Sequence, residues 1–204
     1  MKHKALLIVL DGFGIAPASA DNSIYKAQPT SISNLFLSYP HSQLRASGQS
    51  VGLPDDETGN TEVGHTNLGA GKVVYQSLPR INMAIADGSF ATNAAFTKAI
   101  EHAKKNGSSL HLLGLIGAQH VHSSIQHLFA LLKLAKDQGL TRVYIHPITD
   151  GRDSPPQAAA QYMSELEAKI GELGVGTIAT IMGRYYGMDR DKRWSRIERA
   201  YDCL

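Results

Sequence analysis

The sequence predicts an α/β protein with a parallel β-sheet, and three observations support this class. In the second half of the chain, short apolar runs alternate with longer amphipathic stretches, as in proteins whose strands are joined by helices. The apolar runs are continuous, which is typical of strands that are buried on both faces. Polar and charged residues follow each run, where open parallel sheets place their ligand sites.

The first apolar run covers residues 5–10 (ALLIVL) and ends at Asp11 and Gly12. Its aliphatic composition predicts a strand that is buried on both faces of a sheet. Asp11 would then lie at the carboxyl end of this strand, in the position of a site residue. A simple Asp-Gly turn is the alternative, and the position in the sequence does not separate the two.

Little regular structure is predicted between this run and the first candidate site. In chain order we expect a loop over residues 16–30, a short amphipathic helix over 31–38, a short strand at 44–46 and a loop rich in Gly, Asp and Pro over 48–59. A helix is then predicted to begin near residue 62.

The stretch from residue 57 to residue 71 (ETGNTEVGHTNLGAG) is typical of a nucleophile on a tight turn that opens into a helix. Thr61 follows Asn60 and lies between Gly59 and Gly64. Glycines allow a ligand to approach the backbone closely, and a helix N-terminus attracts anions. We therefore predict that Thr61 accepts and donates a phosphoryl group, and that Asn60 holds a phosphate oxygen.

The character of the sequence changes at about residue 73. Helices are predicted over residues 75–86, 93–105, 124–138, 156–173 and 193–201, and strands over 110–116, 142–148 and 177–182. Ser154 precedes two prolines, and this pattern predicts that its hydroxyl caps the helix that begins at residue 156.

Three polar clusters follow the strands of the second half, namely HVHS at residues 120–123, DGRD at 150–153 and GRYYGMDRDKR at 183–193. Neighbouring parallel strands end at the same edge of a sheet, so the clusters could converge on one cleft. Arginine binds carboxylates and phosphates through its planar fork, which favours a small ligand that bears both groups. In the alternative interpretation, the histidines are ordinary surface residues and residues 189–199 form a solvated helix face with ion pairs.

Composition and charge narrow the class of protein. The 204 residues suffice for one large domain or two small ones, and a net charge of +2 gives no reason to expect nucleic acid or a membrane as partner. The single cysteine, Cys203, excludes a disulfide framework and fits a cytoplasmic location. The N-terminus imitates a signal peptide, but its apolar run of six residues is too short for one.

A series of motifs resembles the cofactor-independent (2,3-bisphosphoglycerate-independent) phosphoglycerate mutases, in order and along the whole chain. They are DGFG at residues 11–14, YPH at 39–41, ASG at 46–48, VGLP at 51–54, GNTEVGH at 59–65, GAG at 69–71, VHS at 121–123, DGRDSPP at 150–156, GRYY at 183–186 and MDRDKRW at 188–194.

The resemblance implies an alkaline phosphatase-like three-layer sandwich, incomplete in this chain, with an inserted α/β phosphotransferase domain that is also partial. Residues 1–75 would be the N-terminal part of the metal-binding phosphatase domain, and residues 76–204 part of the substrate-binding phosphotransferase domain. The implied activity is interconversion of 3-phosphoglycerate and 2-phosphoglycerate in glycolysis and gluconeogenesis. Two divalent metal ions, Mn²⁺ above all, would serve it, and the protein would be a monomer.

The resemblance also assigns site residues. Asp11 matches a metal ligand, and Thr61 matches the nucleophile, which also contacts metal. The substrate-holding set of the family is matched by His122, Arg152, Asp153, Arg184 and Arg190. Two departures stand out, since the family nucleophile is serine and residues 117–120 differ from the usual turn before His122. Threonine is the nucleophile of the related phosphopentomutases.

Family members are much longer than this chain, so we expect a fragment whose remaining metal ligands lie beyond Leu204 and which does not turn over substrate by itself. Two other functions stay open. One is a different phosphatase or phosphosugar mutase of the superfamily, which the threonine favours. The other is a non-catalytic anion-binding protein.

Overall fold

The computed structural model describes residues 4–117 and 122–204. The chain divides into two compact units, Met1–Gln76 and Ser77–Leu204. None of the helices within the described ranges combines the length and the hydropathy of a membrane span.

The first unit is helical in its described part. It contains α1 (Ser23–Ala27), α2 (Thr30–Ser38), α3 (Thr61–Ala70) and a 3₁₀ turn at Gly48–Val51. The predicted helices over residues 31–38 and from residue 62 are thereby confirmed. Asn22 and Asn60 begin α1 and α3, because each side-chain oxygen accepts backbone N–H groups of the first helical turn.

Residues 5–10 do not form the predicted buried strand, and residues 44–46 do not form a strand either. The side chains of Leu6, Leu7 and Ile8 are 85%, 77% and 69% exposed. A strand needs a neighbour for its backbone hydrogen bonds, and no described residue pairs with this run. Asp11 therefore lies in an Asp-Gly turn, which is the alternative interpretation of this motif.

A small core stabilises the remainder of the first unit. Val51, Leu53 and Val63 pack together and are buried. The Asn67 side chain joins two segments, because its amide donates to the carbonyl of Val51 at 2.9 Å and its oxygen accepts the N–H of Val74 at 2.7 Å. These contacts hold α3 in place and so determine where its first residue lies.

The second unit is an α/β structure with a parallel sheet, as predicted. Its described helices are α4 (Ser77–Asp87), α5 (Ala94–Asn106), α6 (Ile125–Asp137), α7 (Ala159–Leu173), α8 (Arg184–Gly187) and α9 (Trp194–Cys203), with a 3₁₀ turn at Ser89–Thr92. Its strands are β1 (Leu110–Ile116), β2 (Val143–Thr149), β3 (Thr177–Ile178) and β4 (Met182–Gly183). Strand β2 is central, since it pairs with β1 on one side and with both β3 and β4 on the other, always in parallel.

The main core lies between this sheet and its helices. Ile116, Val143 and Ile145 of the sheet are buried against Leu132 of α6 and Leu166 of α7. The helix predicted over residues 124–138 is confirmed as α6, and it turns an apolar face to the core. Four of its apolar residues are buried and a fifth packs against them: Ile125, Phe129, Leu132 and Leu134, with Leu128. This packing fixes the carboxyl ends of β1 and β2.

Two local predictions in the second unit were wrong. The run over residues 177–182 is interrupted, and it forms the two short strands β3 and β4 on the same side of β2. Ser154 does not cap α7, which begins only at Ala159 and has no side-chain cap. The backbone N–H of Ser154 instead donates to the carboxylate of Asp150, so this serine closes a loop.

Candidate active site

Thr61 is the first residue of α3, and its hydroxyl Oγ1 donates a hydrogen bond to Asp11 Oδ2 at 2.9 Å. Both residues are exposed. The side-chain oxygen of Asn60 accepts the N–H of Val63 at 3.0 Å, which fixes the start of the helix. The hydroxyl of Thr61 is therefore oriented at the positive end of the helix dipole, next to the N–H groups of the first turn.

The glycines on either side of Thr61 serve different purposes. A Cβ added to Gly59 would lie 1.8 Å from the carbonyl oxygen of Ala46, so only glycine fits there. A Cβ at Gly64 would meet nothing within 4 Å. The sequence suggested that glycine at these positions lets a ligand approach the backbone. At Gly59 it is the backbone of Ala46 that approaches closely.

In the second unit, the carboxylate of Asp150 organises the loop that follows β2. It accepts the backbone N–H groups of Arg152 and Ser154, at 3.2 Å and 2.7 Å, and that of Asp153. It also accepts a hydrogen bond from Arg184 Nη1 at 2.8 Å, and its side chain is only 3% exposed. Burial by itself raises the pKa of Asp150, but these hydrogen bonds outweigh burial and lower the pKa to about 2.

Arg184, the first residue of α8, joins two strand ends. Its Nη1 donates to Asp153 as well as to Asp150. These hydrogen bonds raise the pKa of Arg184 above its ordinary value, and the bond to Asp153 is the largest cause. The Nε2 atom of His122 lies 3.7 Å from Asp153 Oδ2, so a histidine, two aspartates and an arginine form one connected group.

Arg152 and Arg190 are exposed beside this group. Within the described ranges, neither guanidinium has a hydrogen-bond or ion-pair partner. Both line a cleft of about 310 Å³, together with Asp150, Arg184 and Asp189. The cleft thus has two positive charges that no described residue pairs, next to Arg184, whose charge is balanced by Asp150 and Asp153.

The predicted site residues therefore fall into two sets. Asp11 and Thr61 contact each other in the first unit, and His122, Arg152, Asp153, Arg184 and Arg190 lie together in the second. His120 and the unusual turn that precedes His122 lie largely outside the described residues. Sequence reasoning missed the part played by Asp150, although its place directly after a strand and before two site residues was a usable signal.

Two oxygen ligands for a cation are available in the first unit, the carboxylate of Asp11 and the hydroxyl of Thr61. Hard divalent ions such as Mn²⁺ favour such donors. Among the described residues, no group of three or more His, Cys, Asp or Glu side chains is placed to hold a metal ion. The residues present fit part of a metal site.

Comparison with known proteins identifies the family. The sequence model described as "BPG-independent PGAM N-terminus" matches residues 81–204. The 2,3-bisphosphoglycerate-independent phosphoglycerate mutase of Moorella thermoacetica is 53% identical over 199 residues, covering 98% of this chain and 39% of that protein. The protein of the same name from Clostridium botulinum strain Langeland is 50% identical over 203 residues, covering 100% and 40%.

A crystal structure of Leishmania mexicana phosphoglycerate mutase, determined at low cobalt concentration, matches with a TM-score of 0.66 at 34% identity. The match covers 95% of this chain and 37% of that chain. The chain belongs to the 2,3-bisphosphoglycerate-independent phosphoglycerate mutase family. It spans about two fifths of the length of the curated relatives it matches and corresponds to their N-terminal portion.

Proposed function

We propose that this chain contributes the nucleophile and part of the substrate site to an enzyme that interconverts 3-phosphoglycerate and 2-phosphoglycerate. The observation that carries the proposal is the hydrogen bond between Thr61 and Asp11, because it orients a hydroxyl at a helix N-terminus. Identity of about 50% to mutases of this class supports the reaction.

The two units receive different parts in this proposal. Met1–Gln76 is the N-terminal part of an alkaline phosphatase-like sandwich, and Ser77–Leu204 is part of an inserted phosphotransferase domain. The exposed apolar run at residues 5–10 supports the first assignment, since it has the composition of a buried strand and no described partner.

Asp11 and Thr61 would hold a divalent cation, which we propose to be one of two Mn²⁺ ions. When bound, such an ion lowers the pKa of the hydroxyl and stabilises charge on phosphoryl oxygens. The chain's own contribution is to aim the oxygen of Thr61 at the phosphorus atom, while the hydroxyl proton leaves along the hydrogen bond to Asp11. The bond from phosphorus to the glycerate oxygen breaks as the phosphothreonine ester forms.

The cleft of the second unit holds the glycerate. Arg152 and Arg190, whose guanidinium groups have no partner among the described residues, bind the carboxylate and phosphate of the substrate. Asp153 is engaged by Arg184, so we assign the proton of the glycerate hydroxyl to His122, whose Nε2 lies 3.7 Å from the Asp153 carboxylate. Attack of the other glycerate hydroxyl on phosphothreonine then restores Thr61 and completes the exchange.

An assay of the complete gene product with 3-phosphoglycerate and Mn²⁺ tests the proposal. Formation of 2-phosphoglycerate without added 2,3-bisphosphoglycerate is the expected result. Release of inorganic phosphate alone would instead identify a phosphatase and overturn the assignment.

A further inference from the structure

The turn that carries Arg190 is built around a buried carboxylate. Asp189 Oδ2 accepts the backbone N–H groups of Asp191 at 3.2 Å and of Arg193 at 2.9 Å. The Asp189 side chain is only 2% exposed. Within the same turn, Lys192 has a φ of 61°, in the left-handed region that residues other than glycine rarely adopt. The two hydrogen bonds therefore stabilise a backbone conformation that lysine itself disfavours.

Arg196 of α9 connects this turn to α8. Its Nη1 donates to Asp189 Oδ1 at 3.3 Å, and its guanidinium lies 3.7 Å from the centroid of the Tyr185 ring. Tyr185 directly follows Arg184 in α8. Arg196 thus lines the cleft, but its charge is paired with Asp189 and stacked on an aromatic ring.

Arg190 lies next to Asp189 in this turn, and its guanidinium is unpaired in the described part of the chain. A long side chain loses conformational freedom when it binds a ligand, and a rigid backbone limits the freedom that has to be lost. If the turn loosened, Arg190 would start from a wider set of positions relative to Arg184.

We propose that Asp189 and Arg196 are positioning residues for Arg190, which they hold at a constant place relative to α8. They act through Arg190 and do not themselves contact the substrate. This inference rests on the proposed function, in which Arg190 binds an anionic group of phosphoglycerate.

Substitution of Asp189 and of Arg196 in the complete gene product tests the inference. The variants are Asp189→Asn, which keeps the shape and removes the charge, and Arg196→Gln. The matched control is Arg199→Gln, which removes the same charge from the same helix but lies over Tyr186 at 5.8 Å and not beside Asp189. Binding of 3-phosphoglycerate is measured by calorimetry. We expect Kd to rise about 3- to 10-fold for both test variants and to stay unchanged for the control; an unchanged Kd for Asp189→Asn overturns the inference.

A double-mutant cycle separates positioning from a general loss of stability. If Asp189 acts through Arg190, Asp189→Asn has no further effect on Kd once Arg190→Gln is present. Fully additive effects on Kd would show that Asp189 acts by another route, and would also overturn the inference.

A measurement without ligand keeps this inference distinguishable from the proposed function. The backbone amides of Asp191 and Arg193 should exchange with solvent faster in Asp189→Asn than in the wild type, and at the wild-type rate in Arg199→Gln. Failure of the complete wild-type gene product to bind 3-phosphoglycerate would count against the proposed function. Amide exchange would then test separately whether Asp189 stabilises the turn. Faster exchange in Asp189→Asn supports this stabilisation, and unchanged exchange overturns it.

Discussion

The hydroxyl of Thr61 donates a hydrogen bond to the carboxylate of Asp11 across 50 positions of the chain, with 2.9 Å between Oγ1 and Oδ2. Asp11 lies in a turn after an exposed apolar run, and Thr61 begins α3. Neither residue belongs to the small buried core of the first unit. A contact between two exposed polar side chains contributes little to stability, so its value lies in the orientation that it gives to the hydroxyl.

Replacement of this hydroxyl is the most direct test of its role. We expect Thr61→Ala to lower the mutase rate of the complete gene product by at least about 10³-fold, because no nucleophile remains. Thr61→Ser should retain the activity, since it keeps the oxygen and loses only a methyl group. Thr66→Ala is the control on the same helix, because its hydroxyl donates to the backbone carbonyl of Glu62 one turn earlier. A rate for Thr61→Ala equal to that of Thr66→Ala would remove Thr61 from the mechanism.

Asp150 should make stability depend on pH in the acid range. Its pKa is lowered from 3.8 to about 2, so the folded state binds this proton less readily than the unfolded state. The stabilisation, about 2 kcal/mol, is present above pH 4 and is lost as pH falls towards 2. Denaturant unfolding of Asp150→Asn should show this loss at pH 7 and a smaller dependence on pH below 4. Asp137→Asn, at an exposed pair with Lys133, is the control and should behave as the wild type.

His146 should titrate below the ordinary histidine value of 6.5. Burial lowers its pKa, and the neighbouring His111 lowers it further. Because the folded state favours neutral His146, its contribution to stability is complete above pH 6.5 and is lost as pH falls below that value. NMR titration of the imidazole signals measures this pKa. His111→Gln should raise the pKa of His146 only in part, since burial is the larger cause; a full return to 6.5 would contradict this assignment.

Gly52 should tolerate no side chain. Its φ is 82°, and an added Cβ would lie 2.2 Å from the carbonyl oxygen of Val74. We expect Gly52→Ala to destabilise the first unit by at least about 2 kcal/mol, as backbone strain and steric overlap add. Gly69→Ala in α3 is the opposite case, because its Cβ meets nothing within 4 Å and alanine favours a helix by about 0.5–1 kcal/mol. Thermal unfolding of both variants measures the contrast.

The sequence by itself determined the features that depend on neighbours along the chain. The spacing of apolar residues predicted α6, and a continuous apolar run predicted the strand Leu110–Ile116. The motifs resembled the family to which the chain belongs. Both kinds of signal are local, because a helix face or a motif is complete within a few consecutive residues.

Only the tertiary structure decided the features that need distant partners. The run at residues 5–10 has the composition of a buried strand but lacks a described neighbour to pair with, so it is exposed. Asp150 and Asp189 resemble ordinary charged loop residues, yet both side chains are buried. Each carboxylate accepts hydrogen bonds from an arginine and from two or three backbone N–H groups. The physical reason is that strand pairing and the burial of a charge both depend on groups that are brought together only by folding.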